Sequence, residues 1–152
     1  KVGVGAIVFN DLKNHRTLDV DFNMEDSVRF EGQTGPYIQY TGVRIASISK
    51  DIELDLEHID YTLFTEPHYF EVVKLIDSFS SHLRRAQEEA APSIIAKYLL
   101  SLAQSFNKFY GVEKINVEDR RTRNANLLLS LSVRTVLNEG LRLLGIHYLD
   151  QM

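Results

Sequence analysis

The chain has 152 residues, 44% of them hydrophobic and none of them cysteine, with a net charge of −4. That supports one domain with a substantial core, excludes disulfides and thiolate chemistry, fits a reducing cytosol, and argues against loose, charge-driven binding to nucleic acid. The charge is uneven, however: residues 1–77 hold 7 Lys/Arg against 14 Asp/Glu, and residues 78–152 hold 10 against 7, so a mildly basic half can meet phosphate locally.

Residues 2–12 are apolar with two early glycines and fit either a helix or a strand. The chain opens in this segment without a Met, which reads as a piece of a longer protein. Asn14-His15-Arg16-Thr17 is turn-like, and Leu18-Asp19-Val20-Asp21-Phe22 alternates as a weak strand signal. Asn23 can cap a short helix carrying Met24, Val28 and Phe30, ended by Gly32.

Thr34 then caps a helix expected to run to about Ser49, with Gly35 and Pro36 in its first turn, where the N–H groups have no intrahelical partner. Tyr37, Tyr40 and Arg44 fall at i, i+3 and i+7, close to one face, beside an apolar stripe of Ile38, Ile45, Ile48 and Ile52. Two phenols and a guanidinium so placed suit base stacking and phosphate contact. They equally suit half-buried core tyrosines with wet hydroxyls.

The acidic stretch 50–62 reads as a solvated connection with some helix, because like charges two apart repel across a strand face. Thr65-Glu66-Pro67 starts a helix with Phe70, Val73 and Asp77 along one face and Val72 and Ile76 beside them. Ser78 restarts a helix to about Ala90, and Pro92 opens another that carries Ile94, Ile95, Tyr98, Leu99, Leu102, Phe106 and Phe109 and stops at Gly111. Residues 112–118 form a loop. The last helix starts near Asp119 and runs to Leu144 on the stripe Leu129, Val133, Val136, Leu137, Leu141 and Leu144. Gly145 suits a left-handed C-terminal cap, and Gly140 suits a close helix approach. The expected fold is mainly α, an antiparallel helical bundle with a short lead-in.

Three segments resemble the C-terminal region of the arginyl-tRNA synthetases, a class I family. They are Phe30-Glu31-Gly32-Gln33-Thr34-Gly35-Pro36-Tyr37-Ile38-Gln39-Tyr40 with Arg44, Ala103-Gln104-Ser105-Phe106-Asn107-Lys108-Phe109-Tyr110, and Val136-Leu137-Asn138-Glu139-Gly140-Leu141-Arg142-Leu143-Leu144-Gly145-Ile146. Val2–Leu12 resembles the segment just after that family's catalytic core, and Met152 its last residue. The resemblance implies a lead-in over 1–33 and, over 34–152, a helical anticodon-binding domain of the class I type named for an Asp-Ala-Leu-Arg signature. It implies a parent enzyme that uses ATP with magnesium to join arginine to its tRNA. The family's two ATP-handling signatures, His-Ile-Gly-His-like and Lys-Met-Ser-Lys-like, do not occur here, so the chain is not expected to be catalytic alone. The implied partners are an arginine tRNA and the chain's own upstream catalytic domain, with no membrane; a monomer in the cytoplasm is expected. The chain departs from the family where Asn126 replaces a frequent Arg, where Thr41-Gly42-Val43 replaces an Ala-His-Ala-like run, and in its last five residues.

The resemblance places Tyr37, Tyr40, Tyr110 and Met152 near an anticodon loop, with Arg44 beside them. Asn107 offers a donor and an acceptor to a base edge, or braces the helix end. Arg121 and Arg123, with Arg120, oppose the helix dipole at the start of the last helix. They read as phosphate contacts or as a solvated charge run, as do Arg84 and Arg85 with less support. The five histidines lack metal-ligand spacing and no calcium, phosphate-loop or nucleophile motif occurs, so no metal or cofactor is expected in this chain. Two other readings stay open: a helical protein-interaction module, and the anticodon-binding domain of a cysteinyl- or glycyl-type synthetase.

Overall fold

The computed structural model describes residues 1–152, and every regular element in it is helical. Helix α1 spans Val2–Leu12, α2 Met24–Ser27, α3 Gly35–Ser49, α4 Pro67–Asp77, α5 Phe79–Glu88, α6 Pro92–Val112 and α7 Arg120–Leu143, with a 3-10 turn at Tyr61–Thr65 before α4. The first segment is thus a helix. The alternation at 18–22 forms no strand: an isolated strand has no partner for its backbone groups, and Leu18, Val20 and Phe22 stay exposed. The Asn23 side chain does cap a helix, accepting from the Glu25 and Asp26 N–H groups, but that helix ends at Ser27, so Val28 and Phe30 lie beyond it. Gly111 does not stop α6, which runs one residue further to Val112.

One core of buried side chains joins α1, α3, α4, α6 and α7, with Phe9, Ile38, Ile45, Leu99, Phe106, Val133 and Leu137 fully buried. Each such side chain contributes about 1.5–3 kcal/mol when taken from water. Helices α6 and α7 pack antiparallel across the short 113–119 connection. At their crossing a Cβ on Gly140 would overlap the Leu99 side chain, so the glycine there sets how closely the two backbones approach. Gly145 takes φ +73°, and the Ile146 N–H donates back to Leu141 O at 2.9 Å, closing α7 in the expected left-handed cap.

The phase of α4 differs from the sequence reading by one residue. Tyr69 and Val72 face inward while Phe70 is exposed. Tyr69 finds a buried acceptor for its hydroxyl, Asn126 Oδ1 at 2.7 Å, and an edge-to-face ring contact with Phe109. Phe70 instead lies at the surface beneath the Lys74 ammonium. Burial, followed by the Glu113 carboxylate nearby, pushes the Tyr69 hydroxyl up to about 12. Asn126, the departure from the family pattern, is this buried partner and also donates to Lys114 O at 2.9 Å.

Candidate functional site

The first turn of α3 is fixed by short-range chemistry. The Thr34 hydroxyl donates to Arg29 O at 2.6 Å and its oxygen accepts the Tyr37 N–H at 3.2 Å, which leaves no play in where the helix begins. Gly35 lies so close to α1 that a Cβ there would sit 2.8 Å from Phe9 Cβ and 2.9 Å from Gly5 O. With that edge pinned, Ile38, Thr41 and Ile45 point into the core. Tyr37, Tyr40 and Arg44 occupy the adjoining face, toward the C-terminal turns of α6.

There the two helices build one cluster. The Arg44 guanidinium carbon lies 4.9 Å from the Tyr40 ring centroid and 5.2 Å from that of Tyr110. The cation therefore lies over two aromatic rings, an attraction of about 0.5–2 kcal/mol per ring. Tyr40 is 39% and Tyr110 37% exposed, so both rings reach the surface. Phe30 meets Tyr40 edge-on, and Phe106 lies nearly parallel to Tyr110 at 6.2 Å. Asn107 sits at the hub: its Oδ1 accepts from Arg44 Nη1 at 2.5 Å, and its Nδ2 donates to the Tyr37 hydroxyl and to Thr41 Oγ1, each at 2.9 Å. Five of the eight residues nominated from the sequence thus converge: Tyr37, Tyr40, Arg44, Asn107 and Tyr110.

Three do not join them. Arg121 Nη2 donates to Ile59 O at 3.2 Å, and Arg123 Nη1 donates to Val117 O and Glu118 O at 3.0 and 3.2 Å. Arg120 pairs with Asp55. Buried Asn124 completes this second cluster, accepting the Asp55 N–H at 3.4 Å and donating to His58 O at 2.8 Å. Partial desolvation raises the Asp55 carboxyl, but the Glu57 N–H, His58 and Arg120 outweigh it and hold the group below the usual carboxylate range. The arrangement fastens the acidic 51–60 stretch and the 113–119 connection onto the start of α7. Ligand atoms of Asp55, Glu57 and His58 come within 4.8 Å of one another, and two of those groups are already engaged with each other at 2.9 Å. Met152, half exposed, ends a tail anchored by a Gln39 Nε2 bond to His147 O at 2.8 Å and by the Arg134–Asp150 ion pair at 2.6 Å.

Sequence reading passed over Thr41 and Phe30 as parts of the cluster. Thr41 was legible, since it lies four residues after Tyr37 and three before Arg44 on the same side of the helix. Its hydroxyl donates to Tyr37 O at 2.9 Å, so its oxygen is left to accept from Asn107. Phe30 carried no such signal, because it lies outside any helix and its contact with Tyr40 depends on the 28–33 turn.

Comparison with known proteins places this geometry. The family model described as the DALR anticodon binding domain matches residues 38–152. An arginine–tRNA ligase of Pediococcus pentosaceus is 46% identical over all 152 residues, which span 27% of that protein's length. Among solved structures, the arginyl-tRNA synthetase of Thermus thermophilus superposes with a TM-score of 0.92 at 30% identity, over 99% of this chain and 26% of that one. The arginyl-tRNA synthetase of Plasmodium falciparum superposes with a TM-score of 0.85 at 26% identity, over 98% of this chain and 27% of that one.

Proposed function

The chain belongs to the DALR anticodon binding domain family, and from that premise we propose that it is the tRNA-reading part of an arginine–tRNA ligase. The observation that carries the reading is the α3–α6 cluster, in which partly exposed Tyr40 and Tyr110 flank a fixed Arg44 beside the Tyr37 hydroxyl. Single-stranded loops are recognised by splaying bases onto aromatic or guanidinium planes and bonding their edges. Each stacked base contributes about 1–3 kcal/mol. Residues 34–152 form the anticodon-binding domain in this reading, and residues 1–33 lead in from the catalytic part of the parent. Met152 adds a soft apolar surface at the chain end.

The curated relatives are about four times the length of the matched region, so arginine activation with ATP and magnesium belongs to the parent. In this reading the chain holds no cofactor of its own. Arg121 and Arg123 are assigned to loop fastening, because each commits one guanidinium nitrogen to carbonyls of the flanking connections. No helix is long and apolar enough to cross a membrane, and the parent is proposed to work as a monomer in the cytoplasm.

A gel-shift comparison tests the proposal. The parent enzyme carrying this chain should bind an arginine tRNA at least tenfold more tightly than a non-cognate tRNA. That preference should fall when Tyr40 or Tyr110 is replaced by Ala. Equal binding of the two tRNAs, or a preference untouched by those replacements, would overturn it.

A further inference from the structure

Resting on the RNA-reading role of the α3–α6 cluster, we infer that Asn107 is a positioning residue: it fixes Arg44 and the partly buried Tyr37 as two donors beside the exposed Tyr40 and Tyr110 rings, so the site selects a base edge with neighbouring acceptors. The argument is one of hydrogen-bond direction. The Thr41 hydroxyl donates to Tyr37 O, so toward Asn107 its oxygen can only accept. The Arg44 guanidinium can only donate. Both neighbours therefore demand the same orientation of the Asn107 amide, nitrogen toward Thr41 and oxygen toward Arg44. An amide whose orientation depends on its hydrogen-bond network is settled by such a pair.

Two consequences follow for the groups at the surface. Both Nδ2 hydrogens are engaged, one by Thr41 and one by the Tyr37 oxygen, so Asn107 has no donor left for a base. The Tyr37 oxygen accepts from Asn107, which leaves its own O–H free to donate. Arg44, held by one Nη1 bond and lying over two rings, has further N–H groups to donate. The groups that Asn107 holds, Arg44 and the Tyr37 hydroxyl, then offer donors, while the Tyr40 and Tyr110 hydroxyls can donate or accept and so adapt to either edge. A base edge with adjacent acceptors satisfies those donors, whereas an edge that places an amino group there leaves donor facing donor, and unpaired polar groups are what discrimination of this kind rests on.

The test has one arm without RNA and one with it. In the RNA-free chain, the Arg44 side-chain N–H signal in 15N NMR should be shifted by the two rings and protected from exchange. Asn107→Asp, which keeps an acceptor for Arg44, should preserve that signature, and Asn107→Leu should move it toward that of free arginine. With anticodon stem-loop RNAs differing at single loop bases, Asn107→Leu should lower the preference among them about tenfold. Placed on a Tyr37→Phe, Arg44→Ala background, the same change should alter affinity less than twofold. Equal losses on both backgrounds mean Asn107 touches RNA itself and overturn the inference, as does an Arg44 signal that Asn107→Leu leaves in place. A wild-type chain with the shifted signal but no preference among loop bases overturns the RNA reading, and the inference with it.

Discussion

The chain carries two clusters built around arginines, and the guanidinium groups in them meet different partners. In the α3–α6 cluster Arg44 uses one N–H on Asn107 and presents the rest between two exposed rings. At the start of α7, exposed Arg120 and Arg121 and partly buried Arg123 each give some of their donors to protein acceptors: Asp55 and the carbonyls of Ile59, Val117 and Glu118. Residue type is the same in both. What separates them is whether an unsatisfied backbone acceptor lies within reach. The connections flanking α7 are irregular and offer several, whereas α3 and α6 are regular helices whose mid-helix carbonyls are already bonded.

The largest expected effect lies in the first cluster. Replacing Tyr40 and Tyr110 together by Ala removes two stacking surfaces, and at about 1–3 kcal/mol each anticodon stem-loop affinity should fall by about a hundredfold or more in a titration. The melting temperature should move little, because both rings are partly exposed. A collapse of the fold would show instead that the rings are core and would erase the contrast. In the second cluster the expected pattern is reversed. Asn124→Ala leaves the Asp55 N–H and His58 O without the buried amide that joins them, and losing those two part-buried hydrogen bonds costs about 1 kcal/mol. Denaturant unfolding should register that loss while RNA affinity stays within twofold. Asn124→Ala weakening RNA binding without changing stability would mean that the acidic stretch, once released, matters to recognition.

The difference between the clusters also marks what the sequence could reveal. In the first, spacing put Tyr37, Tyr40 and Arg44 close to one face of α3, whose start Thr34, Gly35 and Pro36 fix, but it was the family resemblance and not periodicity that set Tyr110 of α6 beside them. The carbonyl contacts of Arg121 and Arg123 were not legible, since they depend on where the irregular segments before α4 and before α7 place their carbonyls. The one-residue error in α4 has a related origin. Phe70 is the more hydrophobic choice by periodicity, but Tyr69 alone can satisfy Asn126 across 57 residues. Long-range polar partners of this kind leave no trace in local patterning. Nor does a lone alternation such as 18–22 say whether a second strand exists to receive it.

Tyr69 extends the contrast to a buried hydroxyl. Its folded value of about 12 exceeds the unfolded value of 10, so the folded state favours the protonated phenol. The stability it contributes is complete below pH 10 and is lost as pH rises from 10 through 12. Tyr69→Phe should destabilise the chain by about 1 kcal/mol at neutral pH, by leaving Asn126 Oδ1 without its donor, and should flatten that alkaline decline in thermal melts. An unchanged decline would assign it to other groups, Tyr98 first among them, since burial raises that hydroxyl as well.

The smallest expected effect discriminates best between the two clusters. Each cation that neutralises a phosphate of single-stranded RNA contributes about −0.7 to the slope of log affinity against log salt. If the first cluster alone engages the loop, Arg44 is the cation at work, and a stem-loop titration should give a slope near −0.7. If the three arginines of α7 also met phosphate, the slope would approach about −2.8. Arg121→Ala with Arg123→Ala should therefore leave the slope unchanged, although it removes two charges from the protein. A slope shallower by one or more in that double variant would show that loop fastening and phosphate contact coexist, because a guanidinium has five donors and the carbonyls of Ile59, Val117 and Glu118 occupy only some of them.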